Sequence, residues 1–241
     1  MAGLWNSLEI SGKKIEDIRI VCNGAGAAGI ACMNLIKSAG AKPDNLFICD
    51  TNGVIWPGRR KGMNDFKRTL ANATVTKDMT LEQISVGADV LIGVSSANLF
   101  TEAIVKSMNK DPVIFAMANP NPEIIPTLAR EYRPDCIVAT GRSDYANQIN
   151  NVMCFPFLFR AALDCRATQI NESMKMAAAK AIAALAKEEV PEVVRRAVPG
   201  RQFVFGREYV VPTPFDPRLM ERVCVEVARA ASESGVARSP I

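Results

Sequence analysis

An α/β protein built on a Rossmann-type, doubly wound parallel sheet with additional C-terminal helices is what this 241-residue sequence predicts. Three observations carry that expectation. Apolar runs of four to seven residues recur without polar alternation, which is what strands buried on both faces of a parallel sheet require. Helix-compatible stretches alternate with them, the order of a doubly wound fold. The first run also leads into Gly24-Ala25-Gly26-Ala27-Ala28-Gly29, a G-x-G-x-x-G between strand and helix.

Taken in order, residues 18–22 (IRIVC) form a compact β-branched strand that ends at Asn23-Gly24. Residues 25–39 follow as a helix closed by Gly40. A second strand, 46–49 (LFIC), ends at Asp50, and a loop rich in Gly, Pro and Arg occupies 51–62. Residues 80–86 read as a helix and 89–94 (DVLIGV) as a strand. Thr101 caps a helix running toward Met108. Residues 112–118 (PVIFAMA) and 136–139 (CIVA) are the fourth and fifth strands. Beyond them, 155–167 and 171–189 carry Ala, Leu, Met and Lys at helical spacing, until Pro191, Pro199 and Gly200 break the pattern. An extended segment is expected over 203–211 with a loop at Gly206. Asp216-Pro217 reads as an N-cap followed by proline at the first helical position, opening a helix to about Ser234 with Gly235 as its stop. The expected domains are an NAD(P)-binding core over 1–170 and a helical extension over 171–241 packing on the same domain.

Composition narrows the function. Hydrophobic residues make up 49% and charged residues 22%, the balance of an ordinary globular protein. A net charge of +4 with no basic cluster interleaved with aromatics gives no reason to expect nucleic acid. There is no uninterrupted apolar stretch of membrane-spanning length and no signal-peptide pattern, so the expectation is a cytoplasmic protein without a membrane partner. Seven cysteines sit mostly in apolar runs and none forms C-x-x-C, which points to buried free thiols rather than a metal or redox centre. Histidine is absent altogether. A general base, if one is supplied here, must therefore be Lys, Tyr, Asp, Glu or Cys, or must come from another chain.

The glycine motif carries the chemistry. Gly24 lets the chain turn off the strand, Gly26 leaves room for a pyrophosphate, and Gly29 lets the helix approach the sheet. Ala25, Ala27 and Ala28 complete a helix start whose N–H groups and partial positive charge suit an anion. Asp50, at the next strand end, stands where a carboxylate accepts hydrogen bonds from the adenosine ribose, a placement that favours NAD because a 2′-phosphate would meet its charge. Against that, Arg59, Arg60 and Lys61 in the following loop suit a phosphate, or else form a solvated basic face. The cofactor is thus NAD or NADP. Ser95-Ser96-Ala97-Asn98 and Asn119-Pro120-Asn121-Pro122 follow the next two strands. Small polar residues at the carboxyl ends of parallel strands leave room for the nicotinamide half, which makes Ser95 and Asn119 cofactor candidates.

At residues 23–32 (NGAGAAGIAC), 49–55 (CDTNGVI), 118–124 (ANPNPEI) and above all 139–164 (ATGRSDYANQINNVMCFPFLFRAALD), the sequence resembles the bacterial malic enzymes, specifically their NAD(P)-binding domain. The resemblance runs from about Leu4 to the end. In the larger members of that family a phosphotransacetylase-like region follows, and this chain is expected to stop before it. The resemblance implies oxidative decarboxylation of (S)-malate to pyruvate and CO2, with hydride passed to NAD or NADP. It implies Asn119 and Asn151 as amides binding malate oxygens. It also implies Mg2+ or Mn2+, and a Tyr/Lys acid–base pair, in segments that precede the dinucleotide domain. No catalytic residue and no metal ligand carries over to this chain, since Tyr132, Tyr145 and Tyr209 do not match the family tyrosine. Two positions depart from the family pattern: Asn98 where Gly is common and Ala146 where Pro is common. The chain alone is therefore expected to bind cofactor, to need a missing N-terminal malic domain for turnover, and to form a homo-oligomer, a dimer or larger. A non-catalytic dinucleotide sensor or regulatory module is the alternative.

Overall fold

The computed structural model describes residues 1–239, and the chain divides into two compact units. One unit is Ser7–Tyr145; the other joins Met1–Asn6 to the chain from Ala146 onward. The division falls between Tyr145 and Ala146 rather than at residue 170. The reason is that the helix Phe155–Asp164 packs on the helix Arg218–Glu233, so it belongs with the later helices and not with the sheet.

The sheet unit holds β1 (Ile20–Asn23), β2 (Leu46–Asp50), β3 (Gly53–Val54), β4 (Val90–Gly93), β5 (Val113–Ala116) and β6 (Ile137–Thr140), in the order β3-β2-β1-β4-β5-β6. All pairs are parallel except β2 with β3, which is antiparallel. The five expected strands are present. The sixth, β3, is a two-residue return inside the loop after Asp50, too short to leave a pattern in the sequence. Every residue of β1, β4, β5 and β6 is buried, which is why these strands read as unbroken apolar runs. Val21, Phe47, Leu91, Ile114 and Val138 form one core face together with Ile84, Ile104, Val105 and Ala129 from the covering helices. Each such side chain contributes roughly 1.5–3 kcal/mol on burial.

Helix α1 (Ala2–Ser11) precedes the sheet and was not legible as a helix. Next, α2 (Ala27–Ser38) packs on β1 and β2. A short polar helix, α3 (Asp65–Arg68), is capped by Asn64. Helix α4 (Leu81–Ser85) begins at a capping box in which Thr80 and Gln83 satisfy each other's backbone, as the expected start near residue 80 implied. Thr101 caps α5 (Glu102–Ser107), and α6 (Pro126–Tyr132) starts on a proline.

In the second unit, α7 (Phe155–Asp164), α8 (Glu172–Leu185, capped by Asn171), α9 (Glu192–Ala197) and α10 (Arg218–Glu233) form a helical layer. Leu219, Val223, Val227 and Ala230 make the buried stripe of α10. At its start Asp216 accepts a hydrogen bond from the Arg218 N–H at 3.0 Å, and Pro217 sits in the cap position, one residue later than expected. The expected extended segment over 203–211 holds only one bridge, Gly206 with Tyr209. Side chains pin it instead: Asn147 donates to the Arg207 carbonyl and accepts from the Val210 N–H, while Asn6 donates to the Val210 and Ala183 carbonyls. Among the described residues, no helix is long and apolar enough to cross a membrane.

Candidate dinucleotide site

The register aligns Asn23 with Cys49 and Gly93, and Gly93 with Ala116, so the loops after β1, β2, β4 and β5 leave one edge of the sheet. At that edge a cleft of about 870 Å3 is lined by Asn23, Gly24, Ala25 and Gly26, by Asp50 to Gly53, by Lys67, by Asp78 to Leu81, and by Val94, Ser95, Ser96 and Leu99. The volume lies within the range of ligand pockets.

Each glycine of the loop has a distinct spatial reason. A Cβ at Gly24 would lie 2.8 Å from the Val94 carbonyl oxygen, and its φ of +124° is one that L side chains rarely adopt. A Cβ at Gly29 would sit 1.8 Å from the Gly24 carbonyl oxygen, so α2 packs this closely only with glycine there. Gly26 differs: nothing lies within 4 Å of its Cβ position, which faces open space. Gly26 is the N-cap of α2 and supplies no side-chain bond, so the first N–H groups of the helix remain for an external acceptor. Gly26, Ala27 and Ala28 are exposed there while Gly29 is buried. This is the fit expected for a pyrophosphate: donors in a row, no side chain in the way, and no acid in the first turn.

Asp50 lies across the cleft and is heavily partnered. The Arg59 Nη2 donates to both of its oxygens at 2.6 Å, and the Lys67 Nζ donates to Oδ2 at 2.7 Å. Burial pushes its carboxyl up, but the bonds from Arg59, Lys67 and the Asn52 backbone outweigh that and hold it below its ordinary value. Arg59 is buried, and all five of its N–H groups are committed: to Asp50, to the Lys61 carbonyl, and to the Gly53 and Val54 carbonyls. It is therefore neither a solvated arginine nor a phosphate ligand, and both sequence expectations for it give way to a buried clamp on Asp50. Arg60 and Lys61 are exposed and do not line the cleft. The cleft cation is Lys67, which spends two of its three N–H groups on Asp50 and the Gly62 carbonyl.

A family model described as the NAD-binding domain of malic enzyme matches residues 1–199. The chain belongs to the malic enzyme NAD-binding domain family. It is 53% identical over 239 residues to the NADP-dependent malic enzyme of Halomonas elongata, covering 99% of this chain and 56% of that protein. It is 47% identical over 240 residues to the NAD-dependent malic enzyme of Rhizobium meliloti, covering 100% of this chain and 31% of that protein. The crystal structure of malic enzyme from Pyrococcus horikoshii superposes with a TM-score of 0.86 at 35% identity, covering 100% of this chain and 54% of that chain. The chain thus spans between a third and about half the length of these malic enzymes.

Within this malic enzyme domain, the cleft brings together Gly24, Ala25, Gly26, Asp50 and Ser95, while Ala27, Ala28 and Gly29 form the α2 start behind them. Ser95 takes a hydrogen bond from the Asn23 Nδ2 at 2.8 Å, tying the loop after β4 to the end of β1. Asn119 is exposed in the loop after β5, outside the cleft lining, and its bond to Pro120 is cis. Asn151 is exposed in the other unit at the start of the 3-10 turn Asn151–Met153. Its neighbour Asn150 caps that turn by accepting from the Val152 N–H at 3.0 Å. Sequence reasoning missed Lys67, Thr80 and Leu99. Lys67 stands seventeen positions after Asp50 on a four-residue helix, so no short-range pattern connects the two. All seven cysteines are free, as expected.

Proposed function

We propose that this chain binds NAD or NADP, accepts NADP readily, and serves as the cofactor half of a malic enzyme that oxidatively decarboxylates (S)-malate to pyruvate and CO2. The observation that carries the reading is the cleft itself, with an open glycine-lined helix start at one end and a cation-neutralised aspartate at the other. The cofactor would supply the hydride acceptor for malate. The remaining roles belong to the chain. Backbone N–H groups of α2 hold the pyrophosphate without adding a titratable group. Lys67, which lines the cleft beside Asp50, would have one N–H left for the adenosine ribose, as a donor to a 2′-hydroxyl or a 2′-phosphate. Asp50 is no obstacle to that phosphate, because two cations already offset its charge. Ser95 and Asn119 stand for the nicotinamide side, and Asn119 and Asn151 for amides that orient malate oxygens without titrating.

Parallel calorimetric titrations with NAD and NADP test this. One-site saturable binding of both, with NADP at least as tight, is expected. Absence of binding at millimolar concentration rejects the cofactor site. Malate oxidation is expected when the chain acts together with the remaining segment its longer relatives possess, and not from these 241 residues alone. Malate-dependent NADPH formation by the purified chain would overturn that last expectation.

A further inference from the structure

Glu123 is fully buried at the end of the N-P-N-P-E turn, where a charged side chain is costly unless its oxygens are satisfied. Its Oε1 accepts the Ser95 N–H at 3.0 Å, and its Oε2 accepts the Ala118 N–H at 2.9 Å. The same turn also binds the β4 loop through its backbone: the Asn98 N–H donates to the Pro122 carbonyl and the Phe100 N–H to the Glu123 carbonyl. Asn23 then links Ser95 to the end of β1. One carboxylate therefore ties the loop that carries Ser95 to the loop that carries Asn119, below the sheet edge where the nicotinamide half belongs. Gly93 makes room for it, since a Cβ there would lie 2.2 Å from the Glu123 Cδ.

We propose that Glu123 is a positioning residue for the nicotinamide end of the site, setting Ser95 and Asn119 through its two backbone bonds and leaving the adenosine end untouched. The inference rests on the dinucleotide reading above. A carboxylate is required because both partners are N–H donors. A glutamine offers one acceptor oxygen and one NH2, so one of the two loops must lose its acceptor. A residue of purely structural importance would loosen the whole cleft, whereas a positioning residue at one end should separate the halves of the ligand.

Glu123→Gln is titrated with NADP and with adenosine 2′,5′-bisphosphate, which reaches only the adenosine end. The expected result is a loss of about tenfold in NADP affinity, the size of one hydrogen bond to a charged group. The bisphosphate is expected to stay within about twofold, below the threshold of such a bond. Amide hydrogen exchange should quicken at Ser95 or Ala118 and stay unchanged at β1. Gly93→Ala displaces the same carboxylate from the opposite side and should give the same split, which keeps the idea testable if Glu123→Gln folds poorly. Equal weakening of both ligands, or no change in either, overturns the inference. If the unsubstituted chain binds neither ligand, the dinucleotide reading itself fails and takes this inference with it, a pattern distinct from failure of the split alone.

Discussion

The two ends of the cleft are built by opposite means. At the glycine loop recognition is left to backbone: Gly26 faces open space, α2 begins without a side-chain cap, and nothing there titrates. At the Asp50 end recognition is left to side chains: a carboxylate, a buried guanidinium and an ammonium, all within hydrogen-bonding distance. The first end is fixed by sterics at Gly24 and Gly29, where an added Cβ would meet backbone. The second is a charge balance, and can be re-weighted one residue at a time.

Substitutions that separate the two ends sharpen this contrast. Gly29→Ala should have the largest effect, because backbone and not a flexible side chain blocks the added methyl. Overpacking of that kind costs about 3 kcal/mol or more, visible as a lower urea midpoint together with lost cofactor binding. Gly26→Ala should divide those two readouts: its Cβ meets no protein atom, so stability stays within about 0.5 kcal/mol while dinucleotide affinity falls. A Gly26→Ala protein that bound NADP normally would show that the pyrophosphate does not lie there.

At the other end Arg59→Met should cost about 3 kcal/mol, because it leaves Asp50 partly buried with half its partners gone. A lysine at 59 cannot make the same fork and should rescue little. Lys67→Ala comes next: NADP affinity should drop about tenfold, as for one charge-assisted bond to a phosphate, and NAD affinity by less, as for a bond to a hydroxyl. Equal loss for both cofactors would assign Lys67 to Asp50 alone. The smallest effect is in pH dependence. The Asp50 carboxyl is held below its ordinary value, so its contribution is present above the unfolded carboxylate pKa and is lost as pH falls through the lower folded value. Burial pushes the Tyr209 hydroxyl up to about 12, so its contribution fades as pH climbs from the ordinary tyrosine value near 10 toward that value. Thermal melts across both windows should show two declines, and Tyr209→Phe should reduce the alkaline one, the remainder belonging to the buried thiols of Cys49 and Cys136, which burial pushes up to about 12 and about 11.

How much of this was legible in the sequence follows the same division. Steric requirements leave fixed marks, so the glycine loop and the buried strands could be read residue by residue, and Thr101 announced its helix as a cap. Charge balances leave no such marks. Arg59 looked like a phosphate ligand because its type suits one, but its partners are carbonyls and a carboxylate that only folding brings near. Lys67 escaped notice because the polar stretch Asp65–Arg68 has no periodicity, and its helix is held by the Asn64 cap. Glu123 was not singled out, since its role depends on two backbone N–H groups from different loops, one of them 28 residues away. The helical unit divided at Tyr145 rather than 170 because the packing of α7 on α10 is a tertiary fact with no local signature.

One consequence of the Asp65–Arg68 helix concerns the coenzyme. It is four residues long, lies outside the sheet, and carries the only lysine of the cleft lining. Exchanging that lysine would remove one bond each from Asp50 and from the Gly62 carbonyl but would touch no residue of the apolar core, so the choice between two nearly identical coenzymes can be altered without rebuilding the sheet.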